Sequence, residues 1–211
     1  MKSARYHHGD LRRALVDTVL AMVAERGDAT EVTLREVARR AGVSHNAPYR
    51  HFPDKASLLA AVATEGFELL SAALRAARAD VEDDEERFVQ TGLAYLGFTR
   101  RHPGYLAVMH QPGLPKGRTP ELQKAANDTF QILKDVAFDA TDVDVVEARR
   151  LGTVAWSLLY GLAVLTGNQQ VPPSVSASPE RLVELGVRNL FRGFRASHGP
   201  RGTLPNASRR A

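Results

Sequence analysis

Cysteine is absent from the 211 residues of this sequence. Its absence excludes disulfide bonds, thiolate metal sites and a cysteine nucleophile. Long hydrophobic runs are missing too: the most apolar stretch, residues 154–165, is interrupted by Ser157 and Gly161 and is too short to cross a bilayer. The polar N-terminus lacks the apolar segment of a secretory signal. We therefore expect a cytoplasmic protein with no membrane partner.

The signatures of the common enzyme classes are also missing. The sequence has no glycine-rich phosphate-binding loop, no H-E-x-x-H and no G-x-S-x-G. The neighbouring histidines His7 and His8 have no third ligand at helical spacing, so they are more typical of a solvated arm than of a metal site. These observations predict no catalytic residue, no metal and no cofactor. An all-α small-molecule carrier or enzyme with an incidental basic head is kept as a competing hypothesis.

The charge is mildly basic and unevenly placed. The formal net charge is +4. Basic residues outnumber acidic ones in residues 1–52, and residues 192–211 contain five arginines and no acidic residue. A basic surface favours a polyanionic partner such as nucleic acid. The polar, basic segment 196–211 is expected to be a disordered tail.

Apolar residues recur at helical spacing along most of the chain, and no segment has a convincing strand pattern. The sequence therefore predicts an all-α protein of about nine helices. Asp54 is expected to cap the fourth helix and Thr141 the eighth, with Pro120 and Pro179 in the first turns of two others. The predicted helices cover about residues 10–26, 33–41, 45–52, 54–78, 86–101, 103–110, 119–138, 141–166 and 178–194.

Residues 33–52 hold the strongest signal in the sequence, TLREVARRAGVSHNAPYRHF. Thr33 and Glu36 have the spacing of a capping box, and Gly42 can adopt the left-handed backbone that ends a helix. Ser44 then has the position of a cap for a second, short helix, residues 45–52. Two helices joined by a tight glycine turn are the geometry of a helix-turn-helix motif.

The second helix of this motif has few apolar residues to bury. Pro48 falls within its first turn, where a missing amide hydrogen bond costs least. An ordinary helical hairpin inside an all-α core is the alternative interpretation. We predict instead that the second helix enters the major groove of duplex DNA, because its outward side chains can hydrogen-bond to bases or phosphates. These side chains are His45, Asn46, Tyr49, Arg50 and His51.

The stretch from Tyr6 to Leu59 resembles the DNA-binding domain of the TetR family of bacterial transcriptional repressors. The likeness is carried by the run TLREVARRAGVS and by Tyr49, His51, Phe52, Lys55, Leu58 and Leu59. It implies a three-helix DNA-binding domain, residues 1–52, and a helical ligand-binding and dimerisation domain, residues 53–195. The DNA-contacting positions inferred from the motif and the resemblance are Arg5, Thr33, Arg35, Ser44, His45, Asn46, Ala47, Tyr49, Arg50, His51 and Lys55.

The resemblance also implies a homodimeric repressor that leaves a near-palindromic operator when a small-molecule effector binds. Aromatic and apolar residues of the C-terminal helices are candidates for the lining of a pocket, and no buried charge singles out a polar ligand, so we expect a mainly apolar effector. The candidates are Phe67, Phe88, Tyr95, Phe98, Tyr105, Met109, Phe130, Trp156 and Tyr160. An effector-independent DNA-binding regulator or an activator is the alternative function.

The last two predicted helices supply a candidate dimer interface. The final helix has an apolar face that must be buried against something, and glycines in both helices allow close approach. Pairing the two helices with their symmetry mates would form a four-helix bundle. The candidate interface residues are Gly152, Leu159, Gly186, Leu190, Gly193 and Phe194.

Overall fold

The computed structural model of this chain describes residues 8–112, 114, 119–140, 143–176 and 178–198. Every regular element within these ranges is helical, so the all-α prediction is confirmed. The predictions for Arg5 and Thr141, and for the tail from residue 199, lie outside the described residues. The elements are α1 His8–Arg26, α2 Leu34–Arg40, a short 3₁₀ helix Pro48–Arg50, α3 Lys55–Arg78, α4 Asp84–Arg101, α5 Pro103–Met109, α6 Pro120–Ala140, α7 Val145–Gly167, α8 Pro173–Ser176 and α9 Pro179–His198.

Local sequence explains where several helices begin. Asp54 caps α3 as predicted, because its Oδ1 accepts hydrogen bonds from the amide and the hydroxyl of Ser57, each at 2.7 Å. Helices α6 and α9 begin at Pro120 and Pro179. Proline suits a first turn because the amide that it lacks has no partner inside the helix.

The start of α7 differs from the prediction. The helix begins at Val145, and its cap is Asp144. Oδ1 of Asp144 accepts hydrogen bonds from the amides of Val146 and Glu147 at 2.8 and 2.9 Å. The sequence offers several capping residues in a row here, and the carboxylate of Asp144 satisfies two orphan amides at once.

The end of α9 also differs. The helix continues to His198, whereas the sequence predicted an end near residue 194 and a tail from residue 196. Nδ1 of His198 lies 3.1 Å from the carbonyl oxygen of Phe194, and Nε2 lies 3.6 Å from Oε1 of Glu147 in α7. These contacts hold the last turn in place. The one-turn helix α8, within a predicted loop, begins at Pro173.

The chain divides into two compact units. The first contains the described residues up to Leu70 together with Arg101–Asn127. The second contains Ser71–Arg100 and the described residues from Asp128 onward. Helix α5 thus belongs to the same unit as the helix-turn-helix segment, and the domain boundary after residue 52 stays a prediction.

The first unit is built around α1. Leu15, Val19 and Met22 of this helix have no exposed surface. Helix α5 approaches α1 so closely at Gly104 that a Cβ there would lie 3.0 Å from the carbonyl oxygen of Leu20. A side chain at this position would displace backbone, so the close approach requires glycine.

The second unit is organised by α4, α7 and α9. Helix α7 packs against α9. At Gly92 of α4, an added Cβ would lie 2.9 to 3.1 Å from the side chains of Val183, Val187 and Leu159. Three helices therefore converge on one glycine, and the side chains nearest to it are apolar.

Helix α3 is long and apolar enough, by length and composition, to cross a membrane. Its best window has a mean hydropathy of 1.4, but 56% of that window is buried inside the protein. Leu58, Val62 and Leu74 have no exposed surface. Such burial is typical of a core helix, and one helix of this kind is weak evidence for a membrane span.

Candidate nucleic-acid interface

Helix α2 and the turn after it have the geometry that the sequence predicted. The hydroxyl oxygen of Thr33 accepts a hydrogen bond from the amide of Glu36 at 3.2 Å. Gly42 has a φ of +68°. The amide of Val43 donates to the carbonyl oxygen of Ala38 at 3.0 Å, and the amide of Gly42 donates to that of Arg39 at 3.3 Å. These two bonds form a Schellman motif, which ends α2 and turns the chain.

Glu36 does not complete the predicted capping box. Its carboxylate instead accepts a hydrogen bond from Nη2 of Arg26 at 2.5 Å, and Arg40 Nε lies 3.5 Å away. The hydrogen bond from Arg26 and the neighbouring positive charges lower the pKa of Glu36. The end of α1 is thereby tied to α2. Thr33 still caps the helix, but the Glu36 carboxylate does not bond back to the Thr33 amide, because a guanidinium bonds a carboxylate more strongly than an amide does.

The segment after the turn is the main correction to the sequence analysis. We predicted a helix over residues 45–52 with Ser44 as its cap. Residues 45–47 instead form turns, and only Pro48–Arg50 is helical, as a 3₁₀ helix whose cap, Ala47, makes no side-chain hydrogen bond. The amide of Ala47 bonds to the carbonyl of Ser44 at 2.9 Å, and the amide of His51 to that of Pro48 at 3.0 Å. Because Pro48 has no amide hydrogen, an α-helical bond to Ser44 is impossible at that point.

Most of the predicted DNA-contacting side chains are accessible. Tyr49 is 48% exposed, and its ring centroid lies 6.0 Å from that of His45. Nδ1 of His45 lies 3.2 Å from the side-chain oxygen of Asn46. Ala47, His51 and Lys55 are half-buried, whereas the following positions are exposed: Thr33, Arg35, Ser44, His45, Asn46, Tyr49 and Arg50. The structure thus brings a band of polar side chains to the surface on both sides of the Gly42 turn.

Lys55 occupies the first turn of α3, where we predicted a phosphate contact. Its ammonium donates a hydrogen bond to the carbonyl oxygen of Thr30. Thr30 belongs to the loop before α2, and Asp28 in the same loop accepts hydrogen bonds from the amide and hydroxyl of Thr30, each at 2.7 Å. Lys55 therefore ties the start of α3 to this loop.

Arg12 is a residue of this region that sequence reasoning missed. Its guanidinium carbon lies 5.5 Å from the ring centroid of Phe52. Phe52 and Pro48 are buried, and they anchor the 3₁₀ segment to the unit. Only the helical spacing of positive residues in α1 could have drawn attention to Arg12.

The residues predicted for an effector pocket occur in both units. In the first unit, Phe67, Tyr105 and Met109 are buried. In the second, Phe88, Tyr95 and Phe98 are buried, and Phe130, Trp156 and Tyr160 are half-buried. The described part of the chain contains no group of three side chains suited to a metal ion.

The buried hydroxyl of Tyr95 distinguishes it from the other pocket candidates. This hydroxyl has no partner with hydrogen-bond geometry within the described residues. Burial raises the pKa of Tyr95, and the neighbouring Trp156 lowers it by a smaller amount. The indole of Trp156 can only donate, so the hydroxyl hydrogen of Tyr95 lacks an acceptor, and a bound molecule could supply one.

The residues predicted for a dimer interface fall into two groups. Leu159 and Phe194 are buried inside the second unit, and at Gly152 an added Cβ would lie 3.1 Å from Cα of Lys134. These positions serve packing within one chain. Gly186 faces Leu158, Leu190 is half-buried and Gly193 is exposed. The large apolar side chains that remain exposed on α7 and α9 include Val154, Leu165 and Leu185.

Comparison with known proteins supports the same class of protein. Residues 18–62 match the family model described as bacterial regulatory proteins, tetR family. Residues 88–190 match the model described as tetracyclin repressor-like, C-terminal domain. An all-helical chain with this N-terminal motif is a DNA-binding transcriptional regulator. The chain belongs to the TetR family.

The similar proteins cover different shares of the chain. A structure from Rhodococcus sp. RHA1, a protein of unknown function, has 30% identity and a TM-score of 0.73, covering 90% of this chain and 98% of its own. An uncharacterized HTH-type transcriptional regulator of Mycobacterium bovis is 35% identical over 102 residues, which are 48% of this chain and 49% of that protein. The nucleoid occlusion factor SlmA of Marinobacter nauticus is 27% identical over 123 residues, 58% of this chain and 63% of that protein. The chain thus spans between about half and two thirds of the curated relatives it matches.

Proposed function

We propose that this regulator is a homodimeric repressor that leaves a near-palindromic operator when a small, mainly apolar effector binds. The observation that carries the proposal is the exposed polar band around the Gly42 turn, displayed by a buried scaffold of Val32, Val37 and Phe52. A rigid scaffold with outward polar side chains suits contact with base edges and phosphates. Such a protein would act in the cytoplasm, beside the chromosome.

Two kinds of DNA contact are assigned within this band. Arg35, at the start of α2, and Ser44, His45 and Asn46, after the turn, are assigned to base edges because they are exposed. Tyr49 and Lys55 are assigned to phosphates, which position the protein without reading sequence. An arginine can hydrogen-bond in two places to a guanine, and such a pair discriminates by about 1–3 kcal/mol.

The dimer is supported by apolar surface on α7 and α9. Val154 is 49% exposed, Leu165 44% and Leu185 61%. Val154 and Leu165 are eleven residues apart in α7, which is three helical turns, so they share one stripe with the open position Gly161. Exposed apolar side chains in a row are typical of an interface between subunits. We place the interface on this stripe together with Leu185, Leu190 and Gly193 of α9.

An effector would act by favouring a conformation of the dimer that no longer fits the operator. The proposed lining is the group of aromatic candidates in the second unit, and the Tyr95 hydroxyl would donate a hydrogen bond to the effector. These candidates are Phe88, Tyr95, Phe98, Phe130, Trp156 and Tyr160. An effector-independent regulator or an activator is the second possibility. A screen of apolar compounds separates them: compounds that raise the melting temperature should also lower operator affinity, because one equilibrium links both sites. Stabilisers that leave operator affinity unchanged would favour the second possibility.

The DNA contacts are tested on an operator selected from random duplexes. The variant Arg35→Ala should lose roughly 1–3 kcal/mol of binding free energy for each half-site of the selected operator. On operators in which the base pair that Arg35 contacts is already changed, the same substitution should cost little. Arg149→Ala is the matched control, since Arg149 is exposed on α7. Equal loss on every operator variant would show that Arg35 contacts only the backbone.

The dimer is tested by charge substitution on exposed apolar positions. Leu185→Glu should yield a monomer that stays folded, because Leu185 is already 61% exposed within one chain. Val146→Glu is the matched control: Val146 is 58% exposed but lies in the first turn of α7, away from the stripe. Sedimentation then reports the oligomeric state. A Leu185→Glu protein that remains a dimer would place the interface elsewhere.

A further inference from the structure

A charged cleft of about 460 Å³ lies in the second unit, between the end of α3, the start of α4 and the middle of α6. This volume is within the range of small-molecule sites, roughly 300–1,000 Å³. None of the residues proposed for the effector pocket lines it. Its walls carry three arginines and two aspartates: Arg75, Arg78, Arg87, Asp128 and Asp135.

Two of the arginines are held by backbone carbonyl groups. Nη1 of Arg78 donates a hydrogen bond to the carbonyl oxygen of Ile132 at 3.2 Å. Nε and Nη2 of Arg87 donate to the carbonyl oxygen of Val81 at 3.0 and 2.8 Å, and Nη1 donates to Asp84 at 2.9 Å. Both side chains are half-buried. Because a guanidinium keeps its charge at any ordinary pH, these two groups give the walls a fixed positive character.

Arg75 has a different environment from the other two. It is exposed, and it makes no hydrogen bond or ion pair within the described part of the chain. It lies three residues before Arg78, so the two side chains share a face of α3. On α6, Asp135 already accepts a hydrogen bond from Nε2 of Gln131 at 2.5 Å. Because no residue of the described ranges bonds to its guanidinium, the donors of Arg75 are available to a bound molecule.

We propose that this cleft binds a small organic anion whose carboxylate or phosphate group pairs with Arg75. The planar fork of a guanidinium matches two oxygens of either group. The lining carries three positive and two negative side chains, and Asp84, which pairs with Arg87, lies outside it. Ile132 and Ala79, which also line the cleft, would contact an apolar part of the ligand. The site is separate from the operator and effector sites proposed above, and its failure would leave them unaffected.

The test uses the full chain at constant ionic strength, titrated with citrate, with inorganic phosphate and with uncharged glycerol. Binding is followed by the NMR signals of the arginine Nε–Hε groups. Citrate or phosphate should shift the signals of Arg75, Arg78 and Arg87 in a saturable way, and glycerol should not. A response to citrate alone would assign a carboxylate ligand, and a response to phosphate alone a phosphorylated one.

Substitutions separate the cleft from general attraction of anions. Arg75→Gln should weaken binding about tenfold or more, since a charge-assisted hydrogen-bonded pair is lost. Arg181→Gln, an exposed arginine of α9 outside the cleft, should leave the affinity within twofold. Asp135→Asn should strengthen binding severalfold because it removes a negative charge, a gain that misfolding cannot produce. Absence of saturable shifts with both anions, or equal losses for Arg75→Gln and Arg181→Gln, would overturn the proposal.

Discussion

The hydroxyl of Tyr105 in α5 donates a hydrogen bond to Oε1 of Glu65 in α3, at 2.5 Å. The same oxygen accepts a hydrogen bond from Arg13 of α1. Three helices of the first unit therefore meet at one carboxylate. Tyr105 is 6% exposed, and its burial, together with the hydrogen bond to Glu65, raises its pKa to about 12.

This contact predicts a loss of stability at high pH. An unfolded tyrosine releases its proton near pH 10, whereas folded Tyr105 keeps its proton until about pH 12. Between these values the folded state binds more protons than the unfolded state, so the free energy of unfolding falls as the pH rises. The stabilisation is fully present below pH 10, and at most about 3 kcal/mol is lost on reaching pH 12. Tyr105→Phe should reduce this dependence in urea unfolding measured from pH 8 to 12, and Tyr95, whose pKa is also raised by burial, contributes to the loss that remains.

Tyr49→Phe is the control for this experiment, because Tyr49 is 48% exposed. Its pH dependence should match that of the unaltered protein. If the free energy of unfolding of the Tyr105→Phe protein fell with pH as steeply as that of the unaltered protein and of Tyr49→Phe, Tyr105 would not contribute to the alkaline loss of stability.

The turn of the DNA-binding motif depends on the backbone of Gly42. At a φ of +68°, a residue with a Cβ is strained, although no atom lies within 4 Å of the Cβ position. Gly42→Ala should therefore lower the free energy of unfolding by about 1–2 kcal/mol through backbone strain alone. Gly42→Asn should lose less, since asparagine tolerates this conformation better. Thermal unfolding of the two variants provides the comparison, and equal losses would argue against the left-handed turn.

Sequence predicted the features of this motif that depend on neighbouring residues. The Thr33 cap, the Gly42 turn and the Asp54 cap each involve residues within five positions of one another, and all three are present. The exposed band followed from the same local pattern, because the second segment has few apolar side chains.

Contacts between distant residues could not be predicted. Glu36 is drawn from the capping box by Arg26, ten positions away, and Lys55 bonds a carbonyl twenty-five positions away. Both partners become neighbours only after the helices pack. Pro48 shows a limit of a different kind. A missing amide hydrogen costs little in the first turn of a helix, but at Pro48 it removes the α-helical hydrogen bond to the carbonyl of Ser44. The tertiary fold decides which local possibility is realised.

The contact of three helices at Gly92 predicts that the stability of the protein depends on the size of the side chain at this position. A methyl group there would meet Val183, Val187 and Leu159 at 2.9 to 3.1 Å. Gly92→Ala should lower the free energy of unfolding by about 1–3 kcal/mol, because a packed apolar core does not admit an extra carbon without shifts. Gly167→Ala, at the exposed end of α7 with open space around it, should change stability by less than about 0.5 kcal/mol. Urea unfolding of both variants tests the difference, and a harmless Gly92→Ala would show that α4 can move away from α9.

Lys55 has two roles, one in folding and one in DNA binding, and a substitution there can distinguish them. Its ammonium bonds to the Thr30 carbonyl in the free protein, and we assign it to a DNA phosphate in the complex. Lys55→Ala should lower the free energy of unfolding by about 0.5–1.5 kcal/mol, the net contribution of one hydrogen bond. It should also reduce the slope of log K against log salt by about 1 for each half-site contact. Lys55→Arg is the first control, and it should preserve the salt slope because the charge remains. Arg149→Ala, at an exposed arginine of α7, should leave stability and slope unchanged. A Lys55→Ala protein that lost stability but kept the full salt slope would show that Lys55 holds the loop before α2 and does not contact phosphate.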